Sequence, residues 1–98
     1  MKKEFYHTAT AHEIKQWLNA QGITNLQAKR GECFVIDEDG LDIVVNIRDH
    51  LNPNRVPNVS TNSMPSKESL ILFNKMKKAF AKPLDTVVGY YFGRDASP

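Results

Sequence analysis

The side chains with the most chemical potential in this chain are His7, His12, His50, Cys33 and the carboxylates of Asp37, Glu38 and Asp39. A zinc site takes three or four His, Cys or carboxylate ligands, with local pairs at helix or knuckle spacing. His7 and His12 are five positions apart, and Cys33 has no second cysteine. No such pair exists, so the histidines are expected to be surface or half-buried groups and no metal site is expected. Cys33 sits in the apolar run Cys33-Phe34-Val35-Ile36. A free thiol there acts as a small core hydrophobe, and an apolar setting raises its pKa and keeps it inert. Asp37, Asp39 and Gly40 have the look of the start of a calcium loop, but that loop needs its glycine sixth and here it falls fourth. A turn accounts for the same residues. The glycines open no phosphate-cradling helix, and Ser60, Ser63, Ser66 and Ser69 lie in no nucleophile elbow. The expectation is no catalytic residue, no metal and no cofactor: not an enzyme.

Binding chemistry is better represented. Arg30-Gly31-Glu32-Cys33-Phe34-Val35 partly resembles the signature octapeptide of RNA-recognition domains, in which the third and fifth positions are aromatic and stack on bases. Phe34 fills the fifth position, but Glu32 stands at the third and Asp37 at the eighth. A carboxylate there repels phosphate, so the segment reads as a core strand. Lys75, Lys78 and Lys82, with Lys77 beside them, form a basic stripe. Most such stripes are solvated faces; a minority bind phosphates. Tyr90 and Tyr91 are adjacent, and on a strand neighbouring side chains point to opposite faces. One of them would therefore lie with Val44 on an open sheet face, a contact surface for a partner chain or for bases.

The elements that would position these groups follow from spacing. Residues 3–8 contain Phe5 and Tyr6 and read as a short strand. Residues 10–21 read as a helix. Thr10 and Glu13 have capping-box form, Ile14, Trp17 and Leu18 share a face, and Gly22 stands where a helix stops. Trp17 is expected in the core. Residues 26–36 read as one long strand with a bulge at Gly31. Asp37–Gly40 is a turn, and alternation from Leu41 to Arg48 gives a second strand, paired with the first as an antiparallel hairpin. Residues 49–65, with Pro53, Pro57 and Pro65, read as a flexible loop. Residues 66–82 read as a helix capped by Ser66, with Leu70, Phe73, Met76 and Phe80 on one side and the lysines on another. Pro83 ends it. Residues 86–92, rich in β-branched and aromatic side chains, read as a final strand, and 93–98 as a frayed tail. The resulting β-α-β-β-α-β order is ferredoxin-like: an α+β fold with two helices on one face of an antiparallel sheet.

Bulk properties bound the rest. The chain has 98 residues, 41% hydrophobic and 24% charged, with formal net charge +2. That is the size and composition of one globular domain. The charge is small for a dedicated nucleic-acid binder. One cysteine, no apolar run after Lys2 and Lys3, and no long apolar stretch point to a cytoplasmic protein without a membrane span. The function expected is a small non-enzymatic interaction protein that binds a protein partner, a second copy of itself included. Small accessory or inhibitory proteins of mobile elements have this bare character. The alternative is nucleic-acid binding through the lysine-striped helix, Arg55 and the open sheet face. The candidate contact residues are Val44, Arg55, Lys75, Lys78, Lys82, Tyr90 and Tyr91.

Overall fold

The computed structural model of the chain describes residues 2–29, 33–36, 41–48 and 55–93. In order these form β1 (Glu4–Tyr6), α1 (Ala11–Ala20), β2 (Leu26–Lys29), β3 (Cys33–Ile36), β4 (Ile43–Asn46), β5 (Asn58–Ser60), α2 (Lys67–Phe80) and α3 (Leu84–Phe92). The fold is mixed α+β. The five strands form one sheet in the order β1-β5-β4-β3-β2, and every neighbouring pair is antiparallel.

The first helix forms as its sequence dictates. Thr10 accepts a hydrogen bond from the Glu13 N–H, and the Glu13 carboxylate accepts one from the Thr10 N–H, so two donors at the helix start are satisfied reciprocally. Gly22 ends the turn beyond the helix with φ +84°, a conformation glycine adopts without a steric penalty. The N-cap Ser66 of α2 likewise accepts from the Ser69 N–H. Ile14 and Leu18 of α1 and Leu72, Phe73 and Met76 of α2 bury themselves in a single core with Phe5, Ile36, Ile43, Val45 and Val59 of the sheet. Both helices therefore cover the same sheet face. Trp17 is half-buried at the rim of this core, its ring edge-on to Phe80 at 5.7 Å between centroids.

Strand alternation sorts the other side chains. Phe5 pairs with Val59, and Val59 with Val45, on the core face. Glu4, Tyr6, Val44, Asn46 and Asn58 alternate with these residues and take the opposite face. That face is tied together by polar groups: Asn46 Nδ2 donates to Asn58 Oδ1 at 2.7 Å, and Asn58 Nδ2 donates to Glu4 Oε2 at 3.1 Å.

Three expectations are corrected here. The long strand over 26–36 is two strands, β2 and β3, paired from Leu26↔Ile36 to Lys29↔Cys33. This pairing brings Leu26 and Ile36 into register on one row; the bulge expected at Gly31 lies outside the described residues. The loop over 49–65 contains β5, which lies between β1 and β4 inside the sheet. Val59 alone supplies its core contact, so the strand carries no alternating apolar signature. The final strand over 86–92 is instead α3. Pro83 precedes it with φ −58°, and Gly93 ends it in the left-handed region, donating its N–H to the Gly89 carbonyl at 3.0 Å. The observed order, β-α-β-β-β-β-α-α, differs from the expected ferredoxin-like order. The turn at 37–40, residues 49–54 and the tail at 94–98 lie outside the described residues.

Phe73 is fully enclosed and meets the Phe5 ring at 5.3 Å, joining α2 to β1. Phe73→Ala is expected to lower unfolding free energy by ~3–5 kcal/mol in a denaturant titration.

Candidate functional site

Four segments converge at the end of the sheet where β1 runs into α1. The capping box fixes Glu13 in the first turn of α1. Lys82, between α2 and α3, donates its N–H to the Tyr6 carbonyl at 2.8 Å and bridges to β1. That backbone bond sets where the Lys82 side chain leaves the chain. α3 then turns back along this end. Together they enclose a crevice of ≈ 410 Å³ lined by Thr8, Glu13, Phe80, Lys82 and Tyr90, with Ala9, Ala79 and Ala81 as its small residues. Glu13 and Lys82 are both exposed, and they form no salt bridge with each other.

His7, next to Thr8 in the chain, is fully buried. Its Nε2 lies 2.9 Å from the Asn46 carbonyl, and the Ala9 N–H donates to its Nδ1 at 3.1 Å. A carbonyl can only accept and an N–H can only donate, so Nε2 carries the proton and Nδ1 is bare. Both ring nitrogens are spent on backbone groups, and the ring is neutral. Burial lowers its pKa from the ordinary value, against weaker upward pulls from the Asn46 carbonyl and the Glu13 carboxylate. A histidine held in this way is a structural pin; it has no nitrogen left to act as base or ligand.

The inner side of α3 is held differently. Val87 is fully buried. The Arg48 guanidinium lies over the rings of Tyr91 at 5.2 Å and Phe92 at 4.9 Å. Its Nη1 is buried without a hydrogen-bond partner among the described residues, so the aromatic faces supply its stabilisation. Burial raises the Tyr91 pKa; Tyr90 and Glu13 add to the rise and Arg48 opposes it. Tyr90 meets the Tyr91 ring edge-to-face at 4.9 Å yet remains 69% exposed, and Leu84 on the same helix is 47% exposed.

Of the residues singled out from sequence, Lys82 and Tyr90 come together at this crevice, and Tyr91 stands behind it. Tyr90 and Tyr91 are on a helix, so the expectation that they take opposite faces of a strand is corrected; their different exposure comes from helical geometry instead. Val44 is half-buried on the outer sheet face, which also carries the polar ladder of Asn46, Asn58 and Glu4. Arg55 is exposed just before β5. Lys75, Lys77 and Lys78 are exposed along α2. Lys75 instead borders a second, apolar groove of ≈ 230 Å³ formed by Ile23, Leu41, Ile71 and Leu72, with Glu68 on its rim. His12 is exposed; His50 and the Cys33 side chain fall outside what is described. Among the described residues no three His, Cys, Asp or Glu side chains gather to hold a metal ion. No helix among them is long and apolar enough to cross a membrane.

Sequence reasoning missed Glu13, His7 and Arg48 as parts of this end of the molecule. A signal for α3 was present in Pro83, Asp85 in the first turn, Val87 and Tyr91 at helical spacing, and Gly93 as terminator. No family model matches the chain, and no curated protein or solved structure matches it either.

The state of His7 predicts a pH dependence. The unfolded chain takes up a proton near the ordinary histidine pKa of 6.5, while the folded chain resists until lower pH. The contribution of the neutral ring is thus complete above about pH 6.5 and is lost as pH falls towards the folded value. In that window the wild-type protein should lose about 1.4 kcal/mol per pH unit more than His7→Gln, read from denaturant midpoints at successive pH values.

Proposed function

We propose that the protein is a non-enzymatic binding module whose target is another protein, engaged through the exposed side of α3 and the crevice beside it. The observation that carries this reading is Tyr90: a large aromatic side chain, mostly exposed, set edge-to-face against a neighbouring ring, on a helix that also exposes Leu84. Partly rigid, exposed tyrosines are the residues that most often become interface anchors, because their apolar area is covered at small entropic cost. The commitment of both His7 nitrogens to backbone groups supports a binding role over a catalytic one. A second copy of the chain is one admissible partner. An accessory or inhibitory role in a mobile element is in keeping with a domain of this size, and residence in the cytoplasm with its single cysteine.

Immobilised protein is used to capture partners from the native cell, and the captured species are then titrated against variants. Tyr90→Ala is expected to weaken capture at least tenfold with stability changed by less than about 0.5 kcal/mol, as for an exposed position. Tyr91→Ala, which strips a ring from the Arg48 guanidinium, is expected to cost roughly 1–3 kcal/mol of stability. Equal capture by wild type and Tyr90→Ala would sink the proposal.

Exposed Lys75 and Lys78 on α2, with exposed Lys82 just beyond its end rather than on the expected helical stripe, favour a second reading, nucleic-acid binding. Each phosphate neutralised adds about 0.7–0.9 to the magnitude of the logarithmic salt slope. Changing all three lysines to glutamine should flatten the slope for a single-stranded oligonucleotide by roughly two to three units. An unchanged slope assigns these lysines to solvation alone.

A further inference from the structure

Glu13 and Lys82 share a crevice, carry opposite charges and do not pair with each other. Each is positioned by a bond elsewhere. Glu13 Oε1 accepts from the Thr10 N–H at 3.2 Å, which fixes the carboxylate at the helix start. The Lys82 backbone is pinned to Tyr6 while its ammonium is exposed. His7, whose titration the Glu13 carboxylate influences, is kept neutral by its two backbone bonds and so does not compensate the carboxylate. The same crevice is also lined by the exposed Tyr90, by Phe80 and by small alanines. A cation set over Tyr90 would gain from the ring as well as from Glu13.

From this arrangement we propose that the crevice receives a segment of the partner protein in which a basic and an acidic side chain are neighbours, the basic group between Glu13 and Tyr90 and the carboxylate at Lys82. The inference rests on the protein-binding reading above and deepens it. A simple cation or anion would satisfy one wall only. A nucleic acid would meet Lys82 but would bring its phosphates towards Glu13. Arginine suits the basic position better than lysine, since a planar guanidinium can stack on a tyrosine ring and also donate to a carboxylate.

The test uses the full chain, isotopically labelled, and the capped dipeptide acetyl-Arg-Asp-amide followed by amide NMR shifts. Saturable shifts are expected at Thr8, Glu13, Lys82 and Tyr90, with weaker binding of acetyl-Arg-Ala-amide and acetyl-Ala-Asp-amide. Glu13→Gln keeps an oxygen to accept from the Thr10 N–H, so the helix cap survives while the charge is removed. It should weaken the Arg-Asp probe roughly two- to fivefold, as expected for an exposed charge pair, and leave acetyl-Ala-Asp-amide unaffected. Lys82→Gln should do the converse. The proposal is overturned if no saturable shifts appear at these amides, if all three probes bind alike, or if a single-stranded oligonucleotide shifts them and the dipeptide does not. Should the dipeptide fail while Tyr90→Ala still abolishes partner capture, only this assignment falls; should both fail, the protein-binding reading falls with it.

Discussion

Two short apolar rows cross the sheet, and covering them constrains everything else in the molecule. Phe5, Val59 and Val45 form one; Leu26, Ile36 and Ile43 form the other. Each fully buried aliphatic or aromatic side chain of this kind stabilises the fold by ~1.5–3 kcal/mol, and a small domain has little apolar area to spare. The rows draw one residue or two from each strand, so no strand can be lost without opening the core. They also explain the strand order. The chain's first strand must sit beside β5 to bring Phe5 against Val59, which leaves α1 to carry the chain over the core face to β2 at the far edge. Ile14 and Leu18 are buried because α1 makes that passage. α2 then covers the remainder of the same face with Leu72, Phe73 and Met76.

The β1–β5 pairing creates a second requirement at the end of the sheet. The chain leaves β1 through a tight path into α1, and the polar backbone there is shielded from water. His7 meets it with three bonds to distant or local backbone: its N–H donates to the Pro57 carbonyl, Nε2–H to that of Asn46, and Nδ1 accepts from Ala9. A buried polar group left without a partner costs far more than a formed bond contributes, so this side chain is fixed in one tautomer by its surroundings. The fixed junction sets the direction of α1, hence the position of Glu13, and with it one wall of the crevice.

Much of this was legible in the sequence, and the failures have physical causes. The α1 capping box, the glycine after it, the Ser66 cap, the β3–β4 pairing and the apolar side of α2 depend on neighbours within a few residues, and local pattern reports them. β5 was invisible because a three-residue strand inside a sheet needs only Val59 to face the core; Asn58 and Ser60 look like loop residues even though Asn58 pairs with β1 and Ser60 with both β1 and β4. α3 was misread because Thr86, Val87, Val88, Tyr90 and Tyr91 favour strands by propensity, whereas Pro83, Gly93 and the buried Val87 decide for a helix. Once that segment is helical, Tyr90 and Tyr91 leave the sheet, and the expected pairing of one of them with Val44 as strand neighbours no longer follows. Lys82 and Tyr90, singled out from sequence, line one crevice, and Glu13, which lines it too, reads from sequence as a helix-capping residue only.

The two cations near α3 show which side of that helix is structure and which is surface. Arg48 is stacked beneath Tyr91 and Phe92 with Nη1 buried, so its desolvation has already occurred and its attraction to the rings is already realised in the folded chain. It can contribute little more to a partner without breaking those contacts. Lys82 is exposed just before the start of α3, in a crevice that Glu13 also lines. Exposed, unpaired charges contribute almost nothing to folding. Their interaction strengthens only when an arriving surface excludes water and lowers the local dielectric, and an exposed aromatic ring beside them supplies the apolar area that makes such exclusion favourable. In the binding reading proposed here, Tyr90 would set whether a partner docks at this crevice, while Glu13 and Lys82, too weak to drive association alone, would discriminate among the surfaces that do.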